Sequence, residues 1–375
     1  MHLMDELAIR DVTLRNRIVV SPMCQYSSPD GFATEWHLVH LGSRAVGGAG
    51  LVFVEATAVS PEGRISPQDM GLWKDAHIEP LERIARFVRE QGAAPGIQIA
   101  HAGRKASTPP PWVGSGTILE SHGGWKPVGP SAIPFGEGFA TPVALDAGGI
   151  QAITRDFAAA ARRALQAGFQ ILEIHAAHGY LLHEFLSPIS NERTDAYGDS
   201  FVNRTRCLRE TVEAVRKVWP ERLPLFVRIS ATDWVEHGWD IEQSVELARR
   251  LGPLGVDLIM CSSGGIAPNI EIVLKPGYQV GFAQEVRLKS GVKSGAIGMI
   301  TSARQADIVI RQDKADVVAL AREFLRDPYW PLRVAHELGI AMPWPAPYLR
   351  GALDGNPARK PVMTPQEAKA TARAT

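Results

Sequence analysis

Eight short apolar runs, separated by amphipathic stretches, recur from one end of the chain to the other, and few folds satisfy that alternation. A short apolar run bounded by turn residues reads as a strand buried on both faces. A helix-length amphipathic segment between two such strands makes them parallel neighbours. The predicted strands are Ile18–Met23, Leu51–Thr57, Gly96–His101, Phe169–Ala176, Leu223–Ser230, Leu258–Ser263, Ala296–Ile300 and Val317–Ala321. Helical periodicity covers Trp36–Val46, Glu79–Gln91, Gly149–Ala167, Asn203–Val218, Ile241–Leu251, Ser302–Arg311 and Tyr329–Leu338. Eight βα units favour a closed (β/α)8 TIM barrel of the α/β class over an open doubly wound sheet. No GxGxxG follows the first strand, which argues against a dinucleotide-binding domain of the doubly wound kind.

The alternation breaks twice. Residues 104–148, after the third strand, are rich in Pro and Gly (Pro109-Pro110-Pro111, Gly123-Gly124) and carry Trp112 and Trp125. A loop of that length inside a compact domain is usually functional, and here it would cap the barrel's carboxyl face. Residues 341–350 (Ala-Met-Pro-Trp-Pro-Ala-Pro-Tyr-Leu-Arg) read as an extended C-terminal arm, and 355–375 as a poorly ordered tail. Residues 1–350 are therefore expected to form one barrel domain.

Composition narrows the class. Forty basic and forty acidic residues balance to zero, with no basic stripe, so neither nucleic acid nor an anionic membrane is an expected partner. Cys24, Cys207 and Cys261 lie far apart and form no CxxC, so an iron–sulfur cluster or structural zinc of the usual spacing lacks ligands. A sparse, odd set of cysteines fits a reducing compartment. With no apolar leader and no run of membrane-spanning length, a cytoplasmic enzyme is expected.

Barrel chemistry is built on the loops after strands. Strand four runs into Ile171-Leu-Glu-Ile-His-Ala-Ala-His-Gly-Tyr180, which puts His175, His178 and Tyr180 just past a carboxyl end. Two imidazoles and a phenol there can hold a carbonyl oxygen and supply a proton beside it. A metal pair and plain core packing stand as alternatives, with His101 and His183 available as further ligands. Gln98 and Arg228 sit inside apolar strands, where they either pair internally (Arg228 with Glu55 or Glu173) or reach a flat polar ligand. Gly298 and Ala321-Arg322 follow strands seven and eight, where barrels place phosphates. Strand one ends in Ser21-Pro22-Met23-Cys24-Gln25-Tyr26, and an isolated cysteine such as Cys24 most often serves as a small core residue.

Taken in order, these motifs resemble the Old Yellow Enzyme family of FMN-dependent ene-reductases. They are Asn16-Arg17-Ile18, Ser21 to Tyr26, Trp36-His37, Val54-Glu-Ala-Thr57, Ile97 to Lys105, His175 to Tyr180 and Ser190 to Gly198. Cysteine after Ser-Pro-Met marks the thermophilic-like branch, and the likeness spans roughly Leu14 to Arg350. The resemblance implies non-covalent FMN as cofactor and NAD(P)H as co-substrate. Ser21, Pro22, Met23 and Cys24 would line the ring edge, with Ala56, Gln98 and Arg228 at its polar rim. Gly298, Ala321 and Arg322 would hold the phosphate. His175 and His178 would grip a substrate carbonyl, Tyr180 would donate the proton, and Tyr26 would line the pocket. Arg350 would enter the site of a neighbouring subunit, which implies a homodimer or tetramer. The expected substrates are enone-type small molecules, reduced at C=C in a ping-pong cycle. A metal-dependent barrel hydrolase built on His175 and His178 is the alternative. Three positions depart from the family pattern: Ala321 for a glycine, Asp199 for the second glycine of a Tyr-Gly-Gly turn, and Pro347 for glutamine.

Overall fold

Residues 1–353 are described by a computed structural model of the chain. Eight parallel strands close into a barrel in chain order. They are β1 (Ile18–Val20), β2 (Leu51–Ala58), β3 (Ala94–Ala100), β4 (Ile171–Ala176), β5 (Leu225–Ser230), β6 (Leu258–Ser262), β7 (Lys293–Ala296) and β8 (Val317–Leu320). Outside them pack α1 (Glu35–Val46), α2 (Ile78–Glu90), α3 (Ala147–Gln166), α4 (Arg206–Arg216), α5 (Ile241–Leu251), α6 (Val280–Ser290), α7 (Ala303–Arg311) and α8 (Trp330–Glu337). The (β/α)8 expectation holds.

Local chemistry sets the helix starts. Asp146, Asp240 and Ser302 each accept a backbone N–H three residues on, and Thr34 with His37 forms a reciprocal cap on α1. The barrel interior is solid. Phe53 of β2 meets Phe226 of β5 across it at 6.1 Å, and a Cβ on Gly96 would strike the Phe53 ring at 2.7 Å. A hairpin (Leu7–Ile9 with Val12–Leu14) covers the amino end of the barrel, burying Leu3, Leu7, Ile9, Val12 and Leu14. A ligand is therefore left the carboxyl end.

Several expected elements form elsewhere. Strand seven lies at Lys293–Ala296 rather than Ala296–Ile300. Gly298 (φ +109°) and Met299 (φ +50°) cannot continue an extended strand, so the apolar run becomes the loop beyond it. Strand one stops at Val20, before Pro22. The helix expected over Asn203–Val218 breaks at Thr205 into Phe201–Arg204 and α4. Helix α6, the hairpin and the short helices Leu181–Leu186 and Arg322–Arg326 were not expected.

Residues 104–148 stay mostly irregular, with two short 3-10 turns and one two-residue strand pair, Val128–Gly129 with Val143–Ala144. The arm lays Met342 and Trp344 on Leu332 and Ala335 of α8. The tail expected over 355–375 lies outside the described residues. Among the described residues no helix is long and apolar enough to cross a membrane.

Candidate active site

The turn after β4 brings three rings together. His175 meets His178 edge to face at 5.1 Å and Tyr180 at 5.1 Å. Nδ1 of His175 accepts the Ala177 N–H at 3.2 Å, so the ring's proton resides on Nε2. His178 lies left-handed (φ +60°); its N–H donates to Ser230 Oγ at 2.9 Å and its Nε2 lies 2.7 Å from Ser262 Oγ. Burial first, and then the Arg228 charge, push both imidazoles well below their ordinary range, so both stay neutral near pH 7. Burial pushes the Tyr180 phenol well above its ordinary value, with Cys24, Tyr26 and Asp69 adding to the rise. Two neutral imidazoles and a firmly protonated phenol thus meet at one turn.

Lys105, which sequence reasoning quoted but gave no role, completes the turn. Its ammonium donates to the carbonyls of His178 (2.9 Å) and Gly265 (3.1 Å) and lies over the rings of Phe135 (4.4 Å) and Tyr180 (5.3 Å). Burial lowers its pKa to about 8, Arg104 adds to the fall and Glu184 opposes it. Ser230 and Ser262 were missed as well. Their signal is positional, since each ends a strand next to the turn.

Gln98 and Glu173 face each other across β3 and β4, and Gln98 Nε2 donates to Glu173 Oε1 at 2.7 Å. Arg228 donates to Ser21 Oγ at 3.0 Å. Of its two suggested acidic partners, Glu55 is taken: its carboxylate pairs with His37 Nε2 (3.1 Å) and accepts the Gln25 N–H (2.7 Å). Glu173 remains, pushed up to about 7 by burial against the opposing pull of Arg228 and Gln98. Arg228 Nε and Glu173 Oε2 are buried without a hydrogen-bond partner in the protein. Buried donors and acceptors seldom stay unpaired, so these polar edges suit a flat, hydrogen-bonding ring. Beside them a cavity of about 240 Å³ is lined by Gly298, Ala321, Arg322, Tyr278 and Gln279. A Cβ at Gly298 would come within 2.7 Å of the Gln279 side chain, so glycine keeps that wall thin. Arg322 is exposed and makes no hydrogen bond among the described residues, which leaves its guanidinium free for a phosphate. The residues present fit FMN at both ends.

Ala56 is buried on β2, while Pro22, Met23, Cys24 and Tyr26 lie half-buried in the segment after β1. Burial, then Asp69 and Glu55, push the Cys24 thiol well above its ordinary value, so it is no thiolate nucleophile. Tyr26 (φ +50°) meets Trp112 of the 104–148 insertion edge to face at 5.4 Å, a contact the sequence did not reveal. Arg350 stands apart. It is exposed on the arm, where the neighbouring Tyr348 hydroxyl lies 3.5 Å from that of Tyr329, and it joins none of these groups. Among the described residues no cluster of three His, Cys, Asp or Glu is assembled to hold a metal, and nothing favours the hydrolase alternative.

Known proteins carry the same frame. Residues 2–340 match the NADH:flavin oxidoreductase / NADH oxidase family. The chain is 47% identical to the NADPH dehydrogenase of Bacillus subtilis (strain 168) over 347 residues, covering 92% of this chain and 97% of the relative. It is 48% identical to the NADPH dehydrogenase of Geobacillus thermodenitrificans (strain NG80-2), covering 91% and 96%. Among solved structures, morphinone reductase superposes with a TM-score of 0.76 at 28% identity, covering 92% of each chain. The old yellow enzyme homologue from Zymomonas mobilis does so with 0.77 at 26%, covering 90% and 93%. The chain belongs to the NADH:flavin oxidoreductase / NADH oxidase family, in its Old Yellow Enzyme branch, and is an NAD(P)H-dependent oxidoreductase with FMN as cofactor.

Proposed function

We propose that this oxidoreductase reduces activated C=C bonds in α,β-unsaturated carbonyls, maleimides and nitroalkenes. The observation that carries this is the meeting of two neutral imidazoles with a protonated phenol at one barrel mouth. Ser21, Pro22, Met23, Cys24, Ala56, Gln98 and Arg228 would hold the ring of FMN, which would supply the hydride chemistry that links NAD(P)H to the β-carbon of the alkene. His175 and His178 hold the conjugated oxygen, where negative charge builds as the β-carbon is reduced. The Ala177 N–H fixes the His175 ring, Ser262 meets the His178 ring and Ser230 holds the His178 backbone, so the two imidazoles need little reorganisation as the charge develops. Tyr180 gives its proton to the α-carbon, and a positioned acid of this kind contributes about 10²–10⁴-fold.

Arg228, with Gln98, Ala56 and the Ser21-Pro22-Met23-Cys24 edge, would hold the ring's polar rim, and its positive charge there would favour the electron-rich reduced state. Gly298, Ala321 and Arg322 hold the phosphate, and Tyr26 lines the substrate side. NAD(P)H and the alkene use the same space in turn, which makes the cycle ping-pong. Arg350 of a neighbouring subunit completes the mouth in a homodimer or tetramer, and the sparse cysteines suit a cytoplasmic setting.

The test is Tyr180→Phe, assayed with 2-cyclohexen-1-one as oxidant. We expect alkene reduction to fall about 10²-fold while flavin reduction by NADPH is spared. Equal loss of both half-reactions would remove Tyr180 as the acid.

A further inference from the structure

The turn that carries His178 and Tyr180 runs against backbone preference. His178 and Gly179 are both left-handed (φ +60° and +73°), and a Cβ on Gly179 would lie 2.0 Å from the Gly265 carbonyl. A non-glycine residue stays in that region when its surroundings hold it there. On the His178 side the holders are Ser230 and Lys105. On the Gly179 side the Tyr180 N–H donates to the Ala177 carbonyl at 3.2 Å, and the one side chain among the described residues that holds the turn is His183, whose Nδ1 accepts the Gly179 N–H at 2.9 Å.

An accepting Nδ1 places the ring's proton on Nε2. Nε2 of His183 faces Asp233 Oδ1 at 2.9 Å, and both side chains are fully buried. The contact falls short of ideal hydrogen-bond geometry, and neither His183 Nε2 nor Asp233 Oδ1 makes a hydrogen bond elsewhere among the described residues, so each is left facing the other. The other Asp233 oxygen accepts Ser187 Oγ–H at 2.6 Å and the Trp239 N–H at 2.7 Å. Burial works against the Asp233 charge, but His183, Ser187 and Trp239 outweigh it, so the carboxyl stays below its ordinary range and ionised. Asp233 follows β5 and His183 lies in the short helix Leu181–Leu186 after β4, so the contact ties two strand-end loops together.

We infer that Asp233 and His183 are a positioning pair for the proton step: the carboxylate fixes the His183 tautomer that anchors Gly179, and thereby sets where the Tyr180 phenol stands. Neither residue reaches the mouth, so both act through the turn. The inference rests on Tyr180 being the acid of an ene-reductase.

Asp233→Asn separates this role from simple packing. The Trp239 N–H can only donate, so the amide oxygen must face it and the new NH2 must face His183. Nε2 would then have to accept, the proton would move to Nδ1, and Nδ1–H would meet the Gly179 N–H donor to donor. His183→Gln, by contrast, offers an oxygen to Gly179 and an NH2 to Asp233. His183→Leu offers neither.

FMN-loaded wild type, these three variants and Tyr180→Phe would be compared by stopped flow. Flavin reduction by NADPH and reoxidation by 2-cyclohexen-1-one are followed separately, the latter in H2O and D2O. We expect Asp233→Asn and His183→Leu to slow reoxidation by about tenfold or more, well beyond any slowing of reduction, with a larger solvent isotope effect. His183→Gln should recover most of the rate. Wild-type reoxidation and isotope effect in Asp233→Asn would overturn the inference, as would losses shared equally by both half-reactions. If His183→Leu does not fold, Asp233→Asn and His183→Gln decide between them. Wild type that the enone cannot reoxidise overturns the ene-reductase function itself. A slow Tyr180→Phe beside an unaffected Asp233→Asn overturns the positioning pair alone.

Discussion

Cys24 and Glu184 show how burial sets chemistry side chain by side chain. The Cys24 thiol stays protonated, so under the proposed function it would act on the ring edge as a weak S–H donor rather than as a nucleophile. Such a donor favours the electron-rich reduced ring by about 1 kcal/mol, or roughly 20 mV for a two-electron couple. Cys24→Ala should therefore keep its flavin and lower its potential by that order; a colourless protein or abolished activity would contradict this. Glu184 is fully buried, with Oε1 accepting the Arg104 N–H at 2.8 Å and Oε2 unpartnered. Burial raises its pKa to about 8, against the pull of Arg104 and Lys105. The folded chain then holds a proton that the unfolded chain releases near pH 4.5, so this residue costs stability increasingly as pH rises from about 4.5 to about 8. Glu184→Gln should raise Tm by roughly 1–3 °C at pH 8 and by less at pH 5; the reverse order in a thermal melt would refute the assignment. The His175–Tyr180 cluster was legible because it is contiguous in sequence, whereas Lys105 reaches it by folding back from the end of β3. The choice of Glu173 over Glu55 beside Arg228 was settled by Glu55 pairing with His37, a contact no strand pattern encodes.

The 104–148 insertion reaches the segment after β1 through Trp112, whose ring meets that of Tyr26. Trp112 is 71% exposed yet sets its ring against Tyr26, leaving an apolar face beside the site's entrance. An edge-to-face pair is worth about 0.5–1.5 kcal/mol. Trp112→Ala should raise KM for bulky aromatic enones by roughly three- to tenfold, with 2-cyclohexen-1-one little affected and Tm unchanged. An equal effect on both substrates would assign Trp112 to general stability. The insertion was readable as a long irregular segment because its prolines and glycines cannot sustain a regular element. β7 and α6 were not readable. The β7 segment, Lys-Ser-Gly-Ala, has almost no apolar signature and is a strand because barrel closure supplies partners on both sides. The more apolar residues beyond it were mistaken for the strand, although left-handed Gly298 and Met299 turn them into a loop. Asp199 takes φ +66°, so the position keeps the conformation a glycine would have adopted.

At the scale of the molecule, Arg350 is the residue that one chain leaves unexplained. The arm packs on α8, Tyr348 of the arm meets Tyr329 just before α8, and both tyrosines are exposed (43% and 36%), as are Leu353 (36%) near the arm's end and Leu325 (51%). Exposed aromatic and apolar side chains on the arm that carries Arg350 suit a surface that meets a second copy. If Arg350 serves the partner's mouth, it and Tyr180 of the same chain work in different sites. Arg350→Ala should then raise KM without changing the pH dependence of turnover. Mixing settles whose site it serves. In a heterodimer of Arg350→Ala with Tyr180→Phe, one site carries both defects and the other neither. Random pairing of equal amounts makes half the dimers mixed, so about a quarter of all sites should regain wild-type behaviour. Co-expressed, tag-selected heterodimers should reach about half. If Arg350 served its own chain's site, every site in the mixture would keep one defect and no activity would return. Sizing of the holoenzyme provides the control, because a chain that runs as a monomer cannot share Arg350 at all.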